Sequence, residues 1–377
     1  MRQLNRKIDE WFMGFKTRAV KPKSSRLGGS NGSGGSGSLH PVRTFAQTGL
    51  KAGSGLANLK AAAAKKPEVM VKIAKRKSQN SKGLQGIKNH ISYISRNGEL
   101  ALETQDGEKL QGNQAVKSLM TDWQKLGIRP QSEQREAVNI VLSMPPGTPP
   151  QAVLNAARQF AAEQFERHQY VFALHHESER DGEPPHPHVH LCVLMRDENG
   201  RRMNPRKNDL FEWRVRFAEK LREQGMECAA TRRQHRGQSV KGQKAEIRQI
   251  IIRTLQEERQ GTPSENIKRS RIAQANVEAI LEALKAQRRP QHPFQEKAQQ
   301  AKDHITDQYS LISKELYKLG YKTEAKIMKD FANEVSGKSL DTQAQQTYDR
   351  HAHSLRQSQT QTSEPKNHSR DDYEMER

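Results

Sequence analysis

Residues 186–197, HPHVHLCVLMRD, constrain the fold more than any other stretch of the chain. Leu191 to Leu194 are apolar at every position, as in a central strand covered on both faces. Side chains at i and i+2 of a strand share a face, so His188 and His190 project together. Upstream, QYVFALHH reads as another strand and ends in His175 and His176. If the two strands pair in antiparallel fashion across the polar ESERDGEPP segment, three imidazoles meet at one point. Neutral imidazole is a good ligand for divalent transition metals, and three nitrogens leave open positions for substrate. His186 shares the face but lies at the loop end, before Pro187.

The remaining pattern supplies the rest of the sheet. Val69, Val71 and Ile73 alternate as in a strand. GIKNHISYISRNG has a helical spacing with a stop at Asn97-Gly98. ELALETQDGEKLQG reads as a hairpin around Asp106-Gly107. A helix follows over about 114–126, and REAVNIVLSMP is a strand ended by Pro145 and Pro146. PPQAVLNAARQFAAEQF is a helix with prolines at its start, where proline is tolerated. DLFEWRVRFAEKLREQG is amphipathic, with Leu210, Trp213, Phe217 and Leu221 on one face and a stop at Gly225. This order predicts an α+β domain over about residues 67–240, with a central, mainly antiparallel sheet flanked by helices.

The flanks differ in composition. Residues 1–66 form a basic extension whose GGSNGSGGSGS segment, 28–38, reads as a flexible linker. Its first residues could form a short docking helix, and the Ala- and Lys-rich 39–66 predicts little order. Residues 241–337 read as a helical accessory region, and the Gln-, Ser- and Thr-rich 338–377 as a disordered tail.

Only 33% of residues are hydrophobic, too few to stabilise a packed core along the whole length. Lys plus Arg number 64 against 43 Asp plus Glu, a formal charge of +21. That excess favours a polyanionic partner, and nucleic acid above others. The two cysteines are not in a CxxC pair, which argues against a disulfide scaffold or a thiolate zinc site and fits a reducing cytoplasm. No apolar run is long enough to span a bilayer, and the first residues lack the apolar core of a signal peptide.

A basic chain with an open tri-histidine site points to phosphodiester chemistry. No pair of carboxylates accompanies the histidines, so a two-metal nuclease is disfavoured and a tyrosine nucleophile is sought. Of seven tyrosines, Tyr170 starts a buried strand, and those beyond residue 300 lie in polar helices and tail. Tyr93 sits in HISYISRNG, just before a turn.

Taken together these residues resemble conjugative relaxases of the P-type mobilisation family, within the His-hydrophobe-His endonuclease superfamily. The resemblance covers about residues 67–240 and rests on three segments in the family's order. SYISRNGEL looks like the first motif and implies Tyr93 as nucleophile. VLSMPPGT looks like the second and implies that Ser143 contacts DNA near the nick. LHHE followed by HPHVHL looks like the third and implies metal ligands at His188, His190 and either His175 or His176. A His-x-acid pattern favours His175, with Glu177 as the acid. RMNPRKNDLFEWRVRFAEKLREQG resembles the segment after the third motif. Two features depart from the family: the extra charged residues SERDGE between the histidine segments, and the long extension before Tyr93.

The resemblance implies a cytoplasmic enzyme of a bacterial donor cell, exported while joined to DNA. It would nick one strand at an origin of transfer with Mg2+ or Mn2+, hold a 5'-phosphotyrosine, and rejoin the strand. Implied partners are single-stranded or supercoiled DNA, relaxosome accessory proteins and a type IV coupling protein. Tyr93 needs activation because a phenol titrates near 10, and the metal, Glu177 or a histidine could supply it. Arg96, Arg206 and Lys207 are candidate phosphate contacts. The run TRRQHRGQSVKGQK suits a polyanion as a group. Rolling-circle initiators and single-strand transposases of the same superfamily usually place the tyrosine after the histidines. A non-enzymatic DNA- or RNA-binding protein would show neither metal dependence nor a covalent adduct.

Overall fold

The structure, a computed structural model, describes residues 1–14, 48–74, 83–128, 134–177, 185–238, 245–259 and 271–362. The expected linker at 28–38 lies outside the described residues, as do 178–184, 239–244 and 363–377. Two compact units are present, Met1–Arg236 with Tyr309–Phe331, and Gly237–Gln308 with Ala332–Arg377.

The first unit is built on a six-stranded sheet of order β1-β4-β6-β5-β2-β3. Its strands are β1 (Met70–Ile73), β2 (Leu102–Thr104), β3 (Lys109–Leu110), β4 (Ala137–Ser143), β5 (His168–His175) and β6 (His188–Asp197). Every pairing is antiparallel. As its apolar run requires, β6 lies inside the sheet, between β4 and β5. The fold is thus α+β with an antiparallel sheet flanked by helices.

Two helices cover each face. On one lie α3 (Gly83–Ile94) and α4 (Gly112–Lys125). Ile87, Ile91, Ile94, Val116, Met120 and Trp123 from these helices meet Val171, Ala173, Cys192 and Leu194 of the sheet. On the other lie α5 (Pro150–Gln164) and α6 (Lys207–Glu223). There Phe160 packs edge-on against Phe165 and Phe217, and Phe165 against Trp213. Arg158 of α5 holds Glu103 of β2 with two hydrogen bonds of 2.5 and 2.9 Å, tying the edge of the sheet to this layer.

The extension before the sheet is more ordered than its composition predicts. Helix α1 (Arg2–Met13) buries Ile8, Phe12 and Met13. Helix α2 (Ser54–Ala63) lies within the 39–66 stretch where little order was expected. The reason is a contact that composition does not reveal. The Gly53 and Gly55 amides both donate to the Asp9 carboxylate at 2.7 Å, satisfying the start of α2. Gly55 also lets the helices close up, since a Cβ there would lie 2.8 Å from Asp9 Oδ1 and 3.1 Å from Phe12 Cβ.

A cage around His235 completes this unit. The ring stacks on Phe12 at 4.9 Å, tilts against Trp11 at 5.2 Å, and sits 6.4 Å from Phe211. Tyr309, in α9 (Gln295–Lys318), donates its hydroxyl to the His235 carbonyl at 2.9 Å. The unit holding the sheet therefore extends beyond the 67–240 span read from the sequence.

In the second unit α7 (Ala245–Arg259) and α8 (Arg271–Lys285) pack through Ile251, Leu255, Ala273, Val277 and Ile280. Helix α11 (Gln343–Thr362) occupies part of a tail expected to be disordered and meets α8. Between α9 and α11, α10 (Lys322–Gly337) follows α9 closely in the chain. Among the described residues no helix is long and apolar enough to cross a membrane.

Candidate active site

Strand register assembles the histidines. His188 pairs with His175 on one side and with Ser143 on the other, while His190 lies opposite Ala173 and Val141. Directly paired residues face the same way. His175, His188 and His190 therefore project from one face, at the end of the strands where β5 finishes and β6 begins. All three are buried, and one nitrogen from each lies within 4.8 Å of the others. Ring centroids are 5.3 Å apart for His175–His188, 4.6 Å for His175–His190 and 5.0 Å for His188–His190. His176 is exposed and stands outside this group.

Backbone carbonyls orient two of the rings. His175 Nε2 lies 2.7 Å from the Ile94 carbonyl, and His188 Nδ1 lies 3.0 Å from the His186 carbonyl. A carbonyl only accepts, so these nitrogens donate, and in the neutral ring the other nitrogen of each carries a lone pair for a ligand. This is the arrangement of a ligating histidine held by an outer partner. Donor type, convergence and outer hydrogen bonds all fit a divalent transition metal, with coordination positions left over.

Helix α3 brings Tyr93 to this group. The helix stops in the turn after it, where Arg96, Asn97 and Gly98 have φ of 48°, 58° and 94°. Gly98 is required twice, by its left-handed backbone and because a Cβ would lie 2.9 Å from the Asn113 nitrogen at the start of α4. Tyr93 is 53% exposed. Its ring lies 5.6 Å from His190, edge-on, and 6.4 Å from His175. The His175–Ile94 hydrogen bond ties this histidine to the residue next to Tyr93.

Two other tyrosines are placed where they cannot reach substrate. Tyr170 is buried, and Tyr309 is fully buried with its hydroxyl engaged. Burial pushes both phenols above their ordinary range.

The other residues singled out from the sequence divide between the two ends of the sheet. Ser143 is half-buried beside His188. Arg96 and Glu177 form an ion pair of 2.5 Å that bridges the turn after α3 to the end of β5. The hydrogen bond from the Arg96 guanidinium, with its charge, holds the Glu177 carboxyl below the usual carboxylate range. Arg206 and Lys207 start α6, at the other end. The chain reaches them from Met203, which is hydrogen-bonded to Met195. Met195 is seven residues along β6 from His188, roughly 23 Å. Arg206 caps α6 there, its amide donating to Asp209 at 2.7 Å.

Two contributors were not visible in the sequence reading. The Ile94 carbonyl is a backbone group and leaves no mark on the residue pattern. His90 is buried one turn before Tyr93, with its ring 6.4 Å from both Tyr93 and His190. Its only sequence signal is the i, i+3 spacing to Tyr93 on a helix.

An antiparallel sheet with a His-x-His on its central strand, a third histidine alongside and a tyrosine facing them defines the His-hydrophobe-His class of endonuclease folds. Residues 93–226 match the relaxase family described as MobA/VirD2-like, nuclease domain. The match begins at Tyr93 itself. The chain is also similar to the T-DNA border endonuclease VirD2 of Agrobacterium fabrum, with 31% identity over 179 residues, 42% of this chain and 38% of that protein. The T-DNA border endonuclease VirD2 of Rhizobium radiobacter is 30% identical over 179 residues, 42% of this chain and 40% of that protein. The chain thus covers about two fifths of the length of these relatives. No solved structure matches it.

Proposed function

We propose that this protein is a DNA relaxase that nicks one strand at an origin of transfer by tyrosine transesterification and later rejoins it. The observation that carries the reading is the Tyr93 ring lying 5.6 Å from His190 and 6.4 Å from His175, within a segment matched to relaxase nuclease domains. His175, His188 and His190 would hold a divalent cation, Mg2+ or Mn2+, which supplies Lewis-acid polarisation of the scissile phosphate.

Tyr93 is the nucleophile. Its phenolic oxygen forms a bond to phosphorus as the bond to the 3' oxygen breaks, and the departing oxygen gains a proton to become a 3'-hydroxyl. The 5' phosphate stays esterified to Tyr93, so the bond energy is kept and no nucleotide triphosphate is needed to reseal. Rejoining reverses the step, with the 3'-hydroxyl attacking the phosphotyrosine and returning the phenol. The Ile94 carbonyl fixes His175 relative to the tyrosine-bearing helix, and the Arg96–Glu177 pair holds the turn behind it. Ser143 and Arg96 would meet DNA near the nick. Arg206 and Lys207, at the far end of the sheet, would meet DNA remote from it.

The narrower assignment to the P-type mobilisation branch belongs to this proposal. So do relaxosome accessory proteins, a type IV coupling protein, and residence in the cytoplasm of a donor bacterium with export in the DNA-linked state. A superfamily initiator with a late tyrosine is disfavoured because Tyr93, ahead of the histidines, is the tyrosine whose ring lies beside them; burial removes Tyr309 from that reading, while Tyr317 and Tyr321 are exposed.

The test is an adduct assay. The full chain is incubated with single-stranded oligonucleotides tiled across a candidate transfer origin, with Mn2+, and resolved in SDS. An SDS-resistant shift abolished by Tyr93→Phe and by chelator is the expected result. A shift that survives Tyr93→Phe would move the nucleophile elsewhere and refute the assignment.

A further inference from the structure

Resting on the relaxase reading, we infer that edge strand β1 is part of the DNA-binding surface, with Lys72 contacting a phosphate and Met70 packing against a base of the single strand that crosses the histidines.

Met70, Ser143, His188 and His175 lie in one row across four neighbouring strands, and Lys72, Val141, His190 and Ala173 in the row behind it. Paired residues share a face, so Met70 and Lys72 project from the same face as the histidines. Strands lie about 4.8 Å apart, which puts the Met70 backbone roughly 10 Å from that of His188. This is a spacing that one or two nucleotides of extended strand can bridge.

Burial shows that this part of the face is open. The pattern along β1 alternates, with Val71 4% exposed and Met70 46% exposed, and Lys72 exposed as well. Val71 faces the side on which α6 packs against β1. Among the described residues, the layer of α3 and α4 packs over β2, β5, β6 and the far end of β4 at Ala137, and its core holds no residue of β1. What remains is a shelf running from Met70 and Lys72 past half-buried Ser143 to the histidines, with exposed Tyr93 across from it.

An exposed methionine beside a lysine is an odd choice for a bare sheet face. An apolar, polarisable side chain with a neighbouring cation matches an unstacked base and its phosphate. The occupant is therefore single-stranded DNA, continuous with the candidate catalytic site and complementary to a chain of formal charge +21.

The test separates this inference from the reading on which it rests. Binding of a fluorescein-labelled, mixed-sequence single-stranded 30-mer to the full chain is followed by anisotropy in EDTA across a salt series, a measurement that needs no cognate nick site. Each phosphate contact contributes about 0.7 to the slope of log K against log salt for single strands. Lys72→Gln should lower that slope by about 0.7, and Met70→Ala should weaken binding about five-fold without changing the slope. Lys125→Gln, which removes the same charge from α4, should keep the wild-type slope. Both β1 positions are exposed, and unchanged circular dichroism confirms that the variants fold. Wild-type slope and affinity in the β1 variants, or an equal fall in Lys125→Gln, would overturn the inference even if the adduct assay succeeds. Loss of the adduct reaction alone would strike the relaxase reading and leave the shelf standing as a DNA-binding surface.

Discussion

Acid should weaken the first unit through His235, and the size of the effect follows from its cage. The imidazole is 1% exposed, walled by Phe12, Trp11 and Phe211, and its Nδ1 accepts the Arg232 amide at 3.3 Å. The charged groups around it, Arg232 and Arg236, add positive potential. Burial first, and these arginines second, push its pKa down to about 3 from 6.5. Between those values the unfolded chain binds a proton that the folded chain refuses. The folded pKa is depressed, so this contribution to stability is intact above about pH 6.5 and is lost as pH falls towards 3. At about 1.36 kcal/mol per pH unit, the loss between pH 7.5 and pH 5 is about 2 kcal/mol from this group alone. The assay is urea unfolding followed by tryptophan fluorescence, since Trp11 touches the His235 ring. Wild type and His235→Gln are compared at both pH values. The substitution costs stability of its own, but that cost appears at both pH values and cancels in the difference, as do all other titrating groups. The variant should lose about 2 kcal/mol less than wild type on acidification. Equal losses in the two proteins would refute the reasoning.

Two further predictions follow. Glu177→Gln should keep the rate of adduct formation within about ten-fold, because Arg96 already holds this carboxyl as a weak base; loss of a general base would cost about 10²–10⁴ in a rapid-quench time course. Asp9→Ala should destabilise the first unit by about 1–2 kcal/mol in the same urea titration, by removing the acceptor for the Gly53 and Gly55 amides, whereas Arg6→Ala on an exposed part of α1 should fall within about 0.5 kcal/mol of wild type.

The sheet was legible because its pattern is local. A continuous apolar run marked β6 as central, alternation marked β1, and Gly98, Gly107, Gly225 and the proline pair after Ser143 punctuated the elements between. The histidines were legible for the same reason, since two of them are fixed by the period of a strand. What remained open was His175 against His176, because neighbouring strand residues face opposite ways and only the register with β6 decides which of them meets His188.

The flanks were less legible, and the cause is physical. The α1–α2 pair is held by Asp9 reaching across more than forty residues to two amides, and by a glycine that permits close approach. Small and charged residues scored by composition predict disorder, yet here they make a specific contact. Tyr309 likewise joins the first unit through a backbone carbonyl 74 residues away.

Residue pattern alone was enough for the antiparallel core, the paired histidines of β6 and a tyrosine on a helix that stops beside a turn, because periodicity and turn chemistry act over a few residues. Folding in three dimensions was needed to bring Tyr93 beside the histidines, to set the Ile94 carbonyl on one of them, to join Arg96 to Glu177, and to carry Arg206 and Lys207 to the opposite end of the sheet. Those outcomes depend on strand register and helix packing, which join residues far apart in the chain and leave no local pattern to read.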